Sequence, residues 1–119
     1  MRKKLVANTL IAYSAGLMDG EGCIRWNKSP SVEVSNKHIG VLYKQQETWG
    51  GSVRCKGQGV FVWTLCGQNA LKYLNDVMTF SVIKYPQILT LLCVVKATTK
   101  TERDRHINTL KRMKHEYSN

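Results

Sequence analysis

The sequence predicts an α+β fold built on an antiparallel sheet, and three observations carry the prediction. Apolar alternation marks one pair of short stretches broken by Ser29-Pro30, and a second pair is joined by the turn Gly57-Gln58-Gly59, which is the pattern of two β-hairpins. Around them, apolar residues fall at helical spacing, giving the order α-β-β-α-β-β-α-α-α. The length, 119 residues, suits one domain spanning 1–119.

Taken in order, Asn8 or Thr9 can cap a first helix from Leu10 to about Met18, with Gly20 and Gly22 ending it. Cys23 to Lys28 then alternates, Ile24 and Trp26 on one face and Cys23, Arg25 and Asn27 on the other. Ser29-Pro30 breaks the run, and Ser31 to Ser35 alternates again to complete the hairpin. Ile39, Leu42, Tyr43 and Trp49 mark a helix from His38, stopped by Gly50-Gly51. Ser52 to Lys56 and Val60 to Cys66 form the second hairpin around Gly57-Gln58-Gly59. Ala70 to Val77 reads as a short helix, and Tyr85 or Pro86 to Lys100 as a longer one, with proline in its first turn. Glu102 to Glu116 closes the chain as a basic amphipathic helix burying Ile107 and Leu110.

Composition narrows the partner. Apolar residues make up 43%, enough for a core, and 18 Lys+Arg face 8 Asp+Glu for a net charge of +10. So large a positive excess points first to nucleic acid. An anionic membrane surface is second, but the Lys-rich helix with a Trp/Phe face that it needs is missing. No apolar run approaches the roughly 18 residues of a membrane span, and polar residues interrupt the stretch after the basic N-terminus, so neither a membrane anchor nor a signal peptide is expected. Cys23, Cys55, Cys66 and Cys93 form no Cys-x-x-Cys pair; the last three sit among apolar residues and are expected to be buried, reduced thiols in an intracellular protein. His38, His106 and His115 show no metal-ligand spacing.

The sheet's second face would carry Arg25, Asn27, Glu33, Ser35, Arg54 and Lys56. That is either an ordinary solvated surface or a β-ribbon able to read base edges in a major groove. Lys96, Lys100, Arg103, Arg105, Lys111, Arg112 and Lys114 make a second basic group, suited to phosphates or simply to solvation.

Two features of the first helix are out of place. Asp19 and Glu21 stand at its C-terminal end, where the helix dipole disfavours carboxylates. Asp19-Gly20-Glu21-Gly22 is therefore either a cation site or a plain reversing turn. Ala12, Gly16 and Gly20 also recur every four residues as a strip of small side chains. Glycine costs roughly 1 kcal/mol relative to alanine inside a helix, and close approach of a partner helix would explain it. If that partner is the same helix of a second copy, the two acidic ends meet at a two-fold axis.

Ser14-Ala15-Gly16-Leu17-Met18-Asp19-Gly20-Glu21-Gly22 resembles the motif that names the LAGLIDADG homing endonucleases. It agrees at the alanine, the first glycine, the following leucine, the first acid and the last glycine, and Glu21 stands where the motif has its second aspartate. Val34-Ser35-Asn36-Lys37 resembles the end of the family's second strand, Gly50-Gly51-Ser52-Val53 its glycine pair, and Lys84-Tyr85-Pro86-Gln87 its lysine-x-x-glutamine segment. The resemblance runs from residue 10 to about 100. It implies an αββαββα core with a saddle-shaped, four-stranded antiparallel sheet, helices on one face, and the basic C-terminal helix added.

It further implies a site-specific endonuclease making a Mg²⁺-dependent double-strand break in duplex DNA. With a single motif, the chain would act as a homodimer on a near-palindromic target, one active site per strand. Glu21 would hold the metal with the backbone carbonyl of Gly22, and Mn²⁺ or Ca²⁺ could occupy the same place. Lys84, Asn36 and Asp19 would complete the catalytic group. Arg25, Asn27, Lys28, Glu33, Ser35, Lys37, Arg54 and Lys56 would face DNA, and Ala12, Gly16 and Gly20 the partner helix. One departure is visible: Gly40 stands where relatives often carry a basic residue, with Lys37 as the available substitute. The alternative is a protein of the same fold that binds without cutting, an RNA maturase or a DNA-binding regulator. Glu21 argues against complete loss of chemistry, since a dead site would tolerate Asn, Gln or Ser.

Overall fold

The computed structural model describes residues 2–117, with side chains described over 8–114. The elements are α1 (Arg2–Glu21), β1 (Gly22–Trp26), β2 (Pro30–Asn36), α2 (Ile39–Trp49), β3 (Ser52–Gly57), β4 (Val60–Cys66), α3 (Gly67–Met78), α4 (Tyr85–Lys96) and α5 (Lys100–Tyr117). The four strands form one antiparallel sheet in the order β1-β2-β4-β3.

Register follows from alternation. Ile24 pairs with Val32 and Val32 with Leu65; Val34 pairs with Trp63 and Trp63 with Val53. These rows face the helices, and Ile24, Val32, Val34, Trp63 and Leu65 are buried. A one-residue slip would turn every one of them to solvent, which fixes the pairing. Ala15 and Met18 of α1, Leu42 of α2, Ala70, Tyr73, Leu74 and Val77 of α3, and Ile88 and Leu91 of α4 complete the core. Each larger apolar side chain buried there contributes roughly 1.5–3 kcal/mol.

An aromatic cluster locks α2 and α3 to the sheet. Tyr73 meets Trp49 edge-on at 4.9 Å and Trp63 at 5.0 Å. The indole N–H groups do not go unpaired: Trp63 donates to the Gly50 carbonyl at 2.7 Å and Trp49 to Asp76 at 2.8 Å. The Gly50-Gly51 pair is required here. Both residues have positive φ, 82° and 88°. A Cβ on Gly51 would lie 2.4 Å from the Thr64 carbonyl oxygen. Gly51→Ala is therefore expected to cost about 2 kcal/mol through left-handed strain and a backbone clash. Urea denaturation should show the midpoint falling at an unchanged slope.

Several boundaries differ from the sequence expectation. The first helix starts at Arg2 rather than near Leu10 and passes through Gly20 to Glu21. α4 stops at Lys96, because Ala97 turns extended. α5 begins four residues later, with the Thr99 hydroxyl accepting the Glu102 N–H at 3.1 Å. Cys55, Cys66 and Cys93 are exposed instead of buried: Cys55 lies on the outer strand β3, Cys66 is the last residue of β4, and Cys93 is on the outer side of α4. The side chains of His115 and Glu116 lie outside the described residues. No helix among the described residues is long and apolar enough to cross a membrane.

Candidate nucleic-acid interface and active site

The candidate site is assembled where α1 runs straight into β1. Ser14, Ala15 and Met18 face the core, while Ala12, Gly16 and Gly20 are exposed. Glu21 is the last residue of the helix and Gly22 the first of the strand, with no connecting loop. Only glycine permits this junction, since a Cβ on Gly22 would lie 2.6 Å from Met18 Cγ and 2.7 Å from its carbonyl oxygen. The carboxylate of Glu21 is thus carried on two rigid elements at once.

Asp19 is tied instead to the segment that precedes α4. Its Oδ1 accepts from the Ser81 hydroxyl at 2.6 Å and the Lys84 N–H at 3.0 Å, and its Oδ2 from the N–H groups of Val82 and Ile83 at 2.8 and 3.2 Å. Burial alone would raise its pKa. The Ser81 hydroxyl and the N–H groups of Val82, Lys84 and Ile83 outweigh that and hold the carboxyl below its usual value. Lys84 returns the contact, donating from Nζ to the Asp19 carbonyl at 2.8 Å. A cation therefore sits on the last turn of α1, where the dipole favours one. This offsets the misplaced acids noted in the sequence. Tyr73, its hydroxyl pKa raised by burial and by the Asp19 charge, donates weakly to the Ser14 carbonyl at 3.4 Å.

Glu21 is exposed at one side of an open groove of about 290 Å³ lined also by Ser35, Asn36, Lys37, His38 and Val60. Asn36 is oriented by an Asx turn, its Oδ1 accepting the His38 N–H at 2.8 Å. Lys37 and His38 both reach this groove, whereas Gly40 is exposed and a Cβ placed on it would meet nothing within 4 Å. Among the described residues, no group of three or more His, Cys, Asp or Glu could enclose a metal.

The second face of the sheet carries Arg25, Glu33, Ser35 and Arg54 in paired rows, as expected, whereas Asn27 and Lys56 fall outside the paired positions. Cys23, Glu33, Thr64 and Ser52 form one cross-strand row; Ser35, Val62 and Arg54 form the next, and Arg25, Ser31 and Cys66 the one on the other side. Asn27 and Lys28 fall in the β1–β2 turn beyond Trp26, where Lys28 has a φ of 64°. Lys56 stands in a bulge, where pairing passes from Cys55 to Gly57. The basic C-terminal helix joins this face at one edge. Lys111 and Lys114 line a groove with Arg25 and Asn27.

No family model matches the chain, and a search of curated proteins finds no match. Solved structures do match. The homing endonuclease I-CvuI in complex with its target in the presence of Ca superposes with a TM-score of 0.78 at 19% identity, over 92% of this chain and 84% of that one. The archaeal intron-encoded homing endonuclease I-Vdi141I complexed with DNA gives 0.66 at 16% identity, over 87% and 82%. The I-SmaMI LAGLIDADG homing endonuclease bound to cleaved DNA gives 0.64 at 20% identity, over 85% of this chain and 42% of that one. The chain has the LAGLIDADG homing endonuclease fold. In LAGLIDADG terms, the motif helix is α1, and its two acids part company: Asp19 binds the segment before α4, and Glu21 faces the groove.

Two groups in the candidate site carried no sequence signal. Ser81 lies in an ordinary Thr-Phe-Ser-Val stretch, and only the fold brings its hydroxyl to Asp19. His38 shows no ligand spacing to the other histidines, yet it sits two residues beyond Asn36 and shares its groove.

Proposed function

We propose that this protein is a metal-dependent DNA endonuclease that works as a homodimer and makes a double-strand break at a near-palindromic site. The observation that carries the proposal is the position of Glu21: an exposed carboxylate at the helix–strand junction, between the open strip of α1 and a face bearing Arg25 and Arg54. The structural neighbours described with DNA support duplex DNA as the partner.

The donor set fits Mg²⁺. One carboxylate with the neighbouring Gly22 carbonyl is what this ion accepts, since it keeps most of its octahedron for water and phosphate oxygens; Zn²⁺ would need more protein ligands. When bound, Mg²⁺ supplies charge neutralisation at the scissile phosphate and a more acidic water. The chain's own groups do the rest. Glu21 brings a fixed negative charge to the end of a rigid helix. Lys84 presents an ammonium with three donors, of which the Asp19 carbonyl engages one, so a phosphate oxygen gaining charge can take another. Asn36, its carbonyl committed to the His38 N–H, offers its amide NH₂ to a water in the groove. Asp19 is a positioning residue, acting through the segment that carries Lys84.

One chain carries one Glu21, so cutting two strands requires two chains. Ala12, Gly16 and Gly20 are exposed, and nothing lies within 4 Å of a Cβ placed on either glycine. Tyr13 beside them is 53% exposed. A second α1 approaching this strip would bury it and bring the two Glu21 side chains together. Gly16→Leu should leave the monomer fold intact, because the position is exposed and its Cβ would meet nothing within 4 Å. It should convert the DNA-bound dimer to monomer in sedimentation or mass photometry. An unchanged dimer mass on DNA would refute this packing.

Cleavage itself decides the enzyme assignment. The protein should bind a duplex recovered by selection from a random pool and break both strands in Mg²⁺. If it holds that duplex and never nicks it in Mg²⁺ or Mn²⁺, it is a binding protein of this fold.

A further inference from the structure

We infer that Glu33 is a specificity-setting residue that acts by holding Arg25 and Arg54 inward over the reading face, rather than by contacting bases itself. This rests on the DNA-binding reading above and adds the element that makes the binding selective.

The geometry is distinctive. Arg25 Nη2 lies 3.7 Å from Glu33 Oε2, and Arg54 Nη2 lies 3.9 Å from Glu33 Oε1, so each carboxylate oxygen faces a different arginine. The three residues come from β1, β2 and β3, and β4 lies between the last two. Arg25 and Arg54 occupy the rows on opposite sides of Glu33's own row. Rows on one face are separated by about 7 Å along the strands, so both arginines must lean toward the centre to meet one carboxylate. Arg25 has a further restraint: its Nε donates to Cys23 Sγ at 3.2 Å, and Cys23 is the residue paired directly with Glu33.

A carboxylate on a DNA-facing surface is unfavourable for simple attraction, because it repels phosphate. The side chain of Glu33 is only 24% exposed, against 52% and 61% for Arg25 and Arg54. It therefore lies beneath the guanidinium groups and leaves their outer N–H donors for the partner. Guanidinium forks suit the O6 and N7 acceptors of guanine. Released from Glu33, the same long side chains are free to swing toward the nearer phosphates. The carboxylate thus trades general affinity for sequence discrimination, as an electrostatic device against wrong sequences.

The test is selection of bound duplexes from a random pool by wild type, Arg25→Ala, Arg54→Ala and Glu33→Gln, with binding to the unselected pool measured across salt concentration. Wild type should enrich a motif in which each alanine variant relaxes a different guanine position. Glu33→Gln should relax both positions at once, bind the unselected pool several-fold more tightly, and show a steeper salt dependence by about one unit of slope. Its melting temperature should stay within a few degrees of wild type, so that the coupled loss is not one of folding. If Glu33→Gln keeps both guanine preferences, or loses affinity for the unselected pool, Glu33 has no such role. If wild type enriches no sequence at all, the site-specific reading itself fails.

Discussion

Glu21→Gln should abolish cleavage while leaving DNA binding in place. The substitution keeps the shape and removes the charge, and the side chain is exposed, so no packing is lost. In the proposed Mg²⁺ site a single protein carboxylate leaves no reserve, because Asp19, two residues away, is already engaged with Ser81, Val82, Ile83 and Lys84. The expected fall in the single-turnover cleavage rate is at least about 10³-fold, in the range found when a principal electrostatic group is removed from an active site. Affinity for the selected duplex, measured with Ca²⁺ in place of Mg²⁺, should change by no more than a few-fold. A Glu21→Gln variant that cuts within tenfold of wild type would show that the metal is held elsewhere.

Asp19→Asn should weaken both the fold and the chemistry, and its stability effect should depend on pH. The amide keeps one acceptor oxygen and turns an NH₂ toward backbone N–H groups that need acceptors. A loss of roughly 2 kcal/mol is expected, kept modest by the partial exposure of the site. Displacing the Ser81–Lys84 segment by even an ångström should lower the cleavage rate about 10²-fold with DNA affinity unaltered. The sign of the pH effect follows from the lowered pKa of Asp19. Its contribution is fully present above the unfolded value near 3.8 and is lost as pH falls through the lower folded value. The stability gap between wild type and Asp19→Asn should therefore be flat through neutral pH and shrink only below about pH 3.8. A gap that stays constant to strong acid, followed by urea denaturation, would contradict the assigned hydrogen bonds.

The fold was readable because alternation and the glycine pairs constrain it twice over. Ile24, Val32 and Val34 show the core side of the sheet by spacing alone, and the structure places them in adjacent rows. Helix ends were harder, for specific reasons. Asn8 and Thr9 are good caps, but a cap marks a start only if the chain before it refuses to be helical, and Arg2 to Ala7 does not refuse. Gly20 is permissive rather than helix-breaking, and the helix ends where Gly22 packs against Met18. The thiols were misplaced because apolar sequence neighbours say nothing about an edge strand: Cys55 lies on β3, which has a partner on one side only.

The candidate site stood out in the sequence by its two acids, but not by the different partners they take. Asp19 and Glu21 look alike in sequence, two carboxylates at one helix end. What separates them is the path of the chain some sixty residues later, which brings Ser81 to Asp19. No local pattern encodes that meeting. Glu33 was similarly visible as a polar residue on the correct face, while its contact with two arginines depends on the sheet order β1-β2-β4-β3.

The parity of the strands has a consequence for how such a protein changes over generations. Side chains that hold the sheet to the helices and side chains of the opposite face, where the proposed DNA contacts lie, alternate along each strand. Exposed substitutions usually alter stability by no more than about 0.5 kcal/mol, so positions such as Arg25 and Arg54 can vary with little penalty in folding. In a homodimer each such change is made twice, once per half-site, so preference would drift symmetrically and a palindrome would give way only to another palindrome. The heritable freedom lies on one side of a sheet, and the constraint on the other.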